Sequence, residues 1–92
     1  MIVSFACAET RALFETGRSR RFANILGAAE GKLTLLDEAA TLSALRTPPG
    51  NRLEILRGEL SDTYSIRVNN QWRLCFSWTP DGPAEVRIID YH

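Results

Sequence analysis

At 92 residues the chain has room for one modest hydrophobic core and not two, so a single domain over residues 1–92 is expected. Eleven basic and eleven acidic residues cancel, which excludes a whole-protein positive field as the means of holding nucleic acid. No stretch nears the ~20 apolar residues of a transmembrane helix, and "MIVSFACAET" lacks the basic start and apolar length of a signal peptide. A soluble cytoplasmic protein with no membrane partner is the expectation.

In chain order, "IVSF" (2–5) reads as a short strand. A first helix follows from about Glu9 to Thr16, with Gly17 as its stop. Ser19, in the basic junction "GRSRRF", is placed to cap a second helix. There Phe22, Ile25, Leu26, Ala29, Leu33, Leu36 and Ala40 recur at three- and four-residue steps and share a face. Gly27 and Gly31 weaken that helix by about 1 kcal/mol each relative to alanine, so packing must hold it, and they suggest a close approach to a sheet. Thr41 to Leu45 fits a further short turn. "RTPPGN" (46–51) is a loop dividing a helical half from a strand half. Neither half can bury its apolar face alone.

Four strand-like runs follow: "RLEIL" (52–56), "TYSIRV" (63–68), "WRLCFSW" (72–78) and "AEVRIID" (84–90). "NNQ" makes a hairpin between the second and third, and "TPDG" (79–82) the next turn. The order β-α-α-β-β-β-β describes an α+β domain, with two N-terminal helices packed on a mainly antiparallel sheet of about five strands. Period-two alternation sends Trp72, Leu74, Phe76 and Trp78 toward the core and Arg73, Cys75 and Ser77 to the other face.

Arg73 is the first candidate for chemistry, because a charge in a central strand must find water or a partner. If the last strand pairs alongside, Asp90, Tyr91 or His92 comes within reach, and Arg57 approaches from the preceding strand with Glu54 nearby. Such a set suits cleavage of RNA through its own 2'-hydroxyl. That reaction needs a base for the 2'-OH, cations for the phosphorane and an acid for the leaving 5'-oxygen. Histidine serves as base or acid near neutrality, and arginine suits the phosphorane. No metal or other cofactor is required. Ten of the eleven bases are arginine and Lys32 is the one lysine, a mild pointer to phosphate. Structural readings compete: a solvated terminal histidine, a plain Arg73–Asp90 ion pair, a solvated Arg57. Cys7 and Cys75 have no metal-site spacing and read as small buried hydrophobes.

"PPGNRLEILRG", "YSIRVNNQWRLCFSW" and a terminal "DYH", with "MIVSF" and "LFETG" near the start, resemble the HigB branch of the RelE/ParE toxin superfamily across essentially the whole chain. The resemblance implies a microbial-ribonuclease-like fold. It also implies a toxin of a type II toxin–antitoxin system that cleaves mRNA in the ribosomal A site and arrests growth by inhibiting translation. The implied partners are the ribosome, mRNA and a helix-turn-helix antitoxin of HigA type, with operator DNA reached only through the antitoxin complex. Residue by residue, Arg73 matches the strand arginine on the scissile phosphate. Tyr91 and His92 match the terminal pair, with His92 as general base, and Asp90 the acid beside them. Arg57 stands where many members have lysine in "L-K-G", keeping the charge but not the removable proton. Glu54 stands where some have histidine, and its charge would modulate the site by repelling phosphate. Arg18, Arg20 and Arg21 would contact ribosomal RNA phosphates. Two alternatives stay open: a non-enzymatic binder of DNA gyrase like the ParE toxins, and an inactive antitoxin-binding partner.

Overall fold

Helix stops and caps are set locally. The computed structural model describes residues 1–56 and 63–90. Helix α1 (Ala8–Thr16) ends at Gly17, whose φ of 71° suits a residue without Cβ and whose N–H donates to the Leu13 carbonyl at 2.8 Å. The Ser19 hydroxyl accepts the Phe22 N–H at 3.0 Å. What it caps is a 3-10 turn, Ala23–Ile25, from which helix α2 (Leu26–Glu38) continues. The helix stops before Ala40, which is exposed, and Ala39 takes the buried place expected of it. Gly27 and Gly31 also depart from expectation. With Ala29, Leu33 and Leu36 facing the core, both glycines look into open space, so they do not draw the helix onto the sheet.

Thr41 caps the 3-10 turn Leu42–Arg46 through its hydroxyl, which accepts the Ala44 N–H at 3.2 Å. The loop after it is held by Asn51, which is fully buried. The Asn51 amide donates to the carbonyls of Leu45 at 3.1 Å and Thr47 at 3.3 Å, and its oxygen accepts from the Lys32 ammonium on α2. A loop that reads as surface punctuation is thus pinned to the helical layer.

Among the described residues the sheet has four strands in sequential order, all antiparallel: β1 (Glu54–Ile55), β2 (Thr63–Arg67), β3 (Trp72–Thr79) and β4 (Gly82–Asp90). Residues 2–5, expected as a further strand, lie beside β4 but form a single parallel bridge, Phe5 to Val86. A bulge explains the short ladder. Cys75 faces Arg87 whereas Ser77 faces Ala84, so β4 carries an extra residue there, with Glu85 at φ 53°. The outer edge of β4 is nevertheless covered. Ser4 accepts from Val86 (3.1 Å) through its carbonyl and from Glu85 (2.9 Å) through its hydroxyl. The buried Thr10 hydroxyl of α1 accepts the Ile88 N–H at 3.1 Å.

One buried cluster draws on both halves of the chain, joining Leu13, Phe22, Leu33 and Leu36 to Ile66, Leu74, Phe76 and Ile88. Trp72 and Trp78 pack against it, Trp72 edge-on to Phe22 with ring centres 5.4 Å apart. The helices therefore cover one face of the sheet. Because Gly31 is helical, exposed and unhindered, Gly31→Ala should raise stability to urea by about 0.5–1 kcal/mol. Asn51→Ala strands the Leu45 and Thr47 carbonyls and should cost about 2–3 kcal/mol in the same measurement.

Candidate phosphate-binding site

The other face of the sheet is built by the register of its four strands. Residues directly opposite in an antiparallel ladder point the same way. Glu54 faces Ser65, Ser65 faces Cys75, and Cys75 faces Arg87, while Arg67 faces Arg73, which faces Ile89. Arginines 67, 73 and 87 thus share a face. A net charge of zero for the whole chain conceals this separation.

Arg73 is the centre of that face. Its side chain is only 7% exposed. Nε donates to the Ser65 hydroxyl at 2.8 Å, and Nη2 donates to the carbonyls of Arg52 at 2.6 Å and Ser65 at 3.2 Å. Glu54 Oε2 lies 3.9 Å from Nη2. The two carbonyls and the hydroxyl hold the plane of the guanidinium, so its orientation does not depend on a ligand. Arg52 offers its carbonyl from a left-handed conformation, φ 46°, at the end of the loop that Asn51 pins. The Glu54 carboxylate is half-exposed, and a pair so open to water contributes at most about 1 kcal/mol.

These groups line a cleft of about 280 Å³ with Arg52, Glu54, Arg67, Asn69, Asn70 and Arg73 in its wall. Arg67 donates to the Asn70 side-chain oxygen. Asn69 shapes the hairpin, its side-chain oxygen accepting the N–H groups of Gln71 (2.8 Å) and Trp72 (2.9 Å). The guanidinium groups of Arg67 and Arg73, with Arg52 and one carboxylate also in the wall, suit the cleft to an anion, and the planar fork of arginine matches phosphate as it does carboxylate.

The structure brings Arg73 and Glu54 together. Asp90, the last residue of β4, faces Trp72 and so lies on the helix-bearing side, one residue beyond the Ile89 that opposes Arg73. Its carboxylate accepts from the Gln71 amide at 3.1 Å. Arg57, Tyr91 and His92 lie outside the described residues. Arg18, Arg20 and Arg21 are exposed at the junction of α1 and α2, in the helical layer rather than beside Arg73. Arg21 pairs with Glu9 at 3.0 Å and lies over the Phe22 ring, so its charge is partly spent within the fold. Arg52, Ser65, Arg67 and Asn70 are additions to the residues picked out from sequence. Arg67 was discoverable, because pairing "YSIRV" with "WRLCFSW" across a short hairpin sets it opposite Arg73.

Cys75 is buried on the same face, and burial pushes its thiol up from 9.0 to about 11, with Arg87 and Arg73 pulling weakly the other way. Cys7 is half-buried at the start of α1. Burial opposes its ionisation, but hydrogen bonding from the Thr10 side chain and the Thr10 and Glu9 amides prevails and lowers its pKa.

Comparison with solved structures gives the same fold. A crystal structure of a YafQ mutant from E. coli superposes with a TM-score of 0.65 at 15% identity, covering 98% of this chain and 91% of that one. YafQ from E. coli strain BL21(DE3) gives 0.63 at 14% identity with the same coverage. Sequence comparison identifies the class as that of RelE-like toxins: the profile of the HigB-like toxins, described as RelE-like toxins of the type II toxin–antitoxin system HigB, matches residues 4–92. The chain belongs to the HigB-like toxin family. Toxin HigB-1 of Vibrio cholerae serotype O1 is 52% identical over 61 residues, which are 66% of this chain and 63% of that protein. An uncharacterized protein of Haemophilus influenzae is 40% identical over 47 residues, 51% of this chain and 46% of that one. These matches span less than two thirds of either relative.

The buried thiol gives a prediction with a definite sign. The folded pKa of Cys75 lies above its ordinary value, so its contribution to stability is complete below about pH 9 and is lost as pH rises toward about 11. Over that window the urea midpoint of the native chain should fall further than that of Cys75→Ala, by an increment on the order of 2 kcal/mol.

Proposed function

We propose that this chain is the toxin of a type II toxin–antitoxin system and acts in the cytoplasm as a ribosome-dependent endoribonuclease. It cleaves mRNA in the A site by metal-independent attack of the 2'-hydroxyl and so inhibits translation. The observation that carries the reading is the Arg73 guanidinium, buried and held in one orientation at the floor of an arginine-lined cleft, in a chain of the HigB-like family. Charge fixed before the substrate arrives does not need to reorganise as the phosphorane forms. Arg73 stabilises that phosphorane, and Arg57 adds charge without exchanging a proton. His92, two residues beyond the end of β4, takes the 2'-OH proton, and Tyr91 stacks on a base or gives a proton to the leaving oxygen. Asp90, on the far side of the strand from Arg73, orients His92 rather than meeting phosphate.

The partners follow from this reading. An antitoxin of HigA type neutralises the chain, and operator DNA is met only through their complex. Arg18 and Arg20 grip ribosomal RNA by its phosphates, with Arg21 a weaker contributor because Glu9 already holds it.

Mapping new mRNA 5' ends in a translation reaction tests the proposal. Cleavage inside codons, leaving 5'-hydroxyl ends, is expected only when ribosomes are present. Deleting His92 should slow cleavage by roughly 10²–10⁴-fold, the usual contribution of a positioned acid or base, with the circular dichroism spectrum retained. Growth arrest without cleavage would replace the proposal with a non-enzymatic binder, and a harmless, folded chain would replace it with an antitoxin partner only.

A further inference from the structure

We propose that Glu54 is an internal anion gate on the cleft: its carboxylate occupies the approach to Arg73 in the free protein and is displaced by the phosphodiester of a single-stranded RNA. The inference rests on the functional reading above for the identity of the ligand, and on the geometry alone for the gate.

Three observations carry it. Glu54 belongs to the two-residue strand β1 and faces Ser65, the residue that also anchors Arg73. From there its carboxylate reaches to 3.9 Å from Arg73 Nη2, within ion-pair range but beyond hydrogen-bond length. A contact at that distance compensates charge without fixing geometry, and the carboxylate is half-exposed, so water can replace Arg73 around it at little cost. Finally, Glu54 shares the cleft wall with three arginines, Arg52, Arg67 and Arg73. A phosphate entering beside Arg73 would meet that carboxylate at short range, where like charges repel even through partial screening by water. Arg73 stays in place through its bonds to Ser65 and the Arg52 carbonyl. The moving part is the glutamate side chain, and entry of the phosphate requires it to swing toward solvent.

A gate of this kind lowers affinity for loose phosphates and for short or unanchored RNA. A strand held in place by other contacts overcomes that modest penalty more readily than a loose phosphate does. Glu54 is therefore a selectivity device, acting on which RNAs reach Arg73 rather than on the reaction itself.

The test measures binding of an RNA trinucleotide with 2'-deoxy sugars at its first and second positions, which offers two phosphodiesters and no attacking hydroxyl beside either. Glu54→Gln should bind it roughly 3–10-fold more tightly than the native chain at low salt. The salt dependence supplies a second readout. While Glu54 compensates Arg73 from within, RNA displaces fewer solution anions. Its removal adds one net positive charge to the cleft and should steepen the plot of log K against log salt. Ile55→Gln, at the neighbouring exposed position of β1, should leave both quantities unchanged and so controls for disturbance of the strand.

Equal affinity and slope for Glu54→Gln and the native chain would overturn the gate, as would weaker binding by the variant or no binding by either. Ribosome-dependent cleavage measured alongside separates the two proposals. Tighter binding without cleavage by the native chain sustains the gate and overturns the nuclease reading. Cleavage with no gain in binding does the reverse.

Discussion

A guanidinium in the middle of a sheet must be satisfied, and much of this molecule is arranged to satisfy Arg73. Burying a charge without partners is prohibitive, and burying it with a single partner leaves donors stranded. Here the adjacent strand supplies a hydroxyl and a carbonyl from Ser65, and the loop before β1 supplies the carbonyl of Arg52. That loop stays in place because Asn51, buried at its turn, is tied to the end of the preceding 3-10 turn and to Lys32 of α2. A continuous run of polar contacts therefore leads from the helical layer, round the edge of the sheet, to the cleft on its far side. Substitutions at Asn51 would be felt at Arg73 although the two residues lie in different layers.

The two faces of the sheet divide the work. One is apolar and carries the helices, with Leu74, Phe76 and Ile88 fully or nearly buried against α1 and α2. The other gathers Arg67, Arg73 and Arg87 around the small residues Ser65 and Cys75. Cancellation of charge over the whole chain says nothing about this segregation, because electrostatic attraction at contact range is set by local arrangement and solution ions screen the rest.

Much of this was legible in the sequence because alternation in strands is strict. The tryptophan row and the opposite placement of Arg73 both follow from a period of two, and Gly17 and the "NNQ" hairpin follow from turn chemistry. Asp90 shares parity with Val86 and Ile88, so its position on the helix-bearing side was readable too, once alternation was carried to the end of the strand rather than "DYH" being taken as one group. Other features had no local signal. Asn51 follows Pro-Pro-Gly and looks like any surface turn residue; its burial depends on Lys32, nineteen positions away. The Arg52 carbonyl is main chain and leaves no mark in composition. Helical spacing correctly picked the buried face of α2, but it gave no reason to start the helix with a 3-10 turn or to end it before Ala40. Ser19 caps the 3-10 turn rather than the helix, and Ala39 at the other end is already extended.

The covering of β4 by the chain's opening residues has a consequence for how the protein comes into being. The Ser4 hydroxyl is bonded to a residue 81 positions downstream, and the Thr10 hydroxyl to one 78 positions downstream. Closing loops of that length carries an entropic cost, and a chain with many such contacts folds slowly. During synthesis the early segment must wait, with Phe5 and its neighbours without their strand, until β4 has been made. Since Arg73 lies on β3 between β2 and β4, its cleft belongs to a sheet whose far boundary is the last strand to be synthesised. A nascent chain halted before β4 would lack both the partner of its opening residues and the strand that completes the sheet on which its charge is presented.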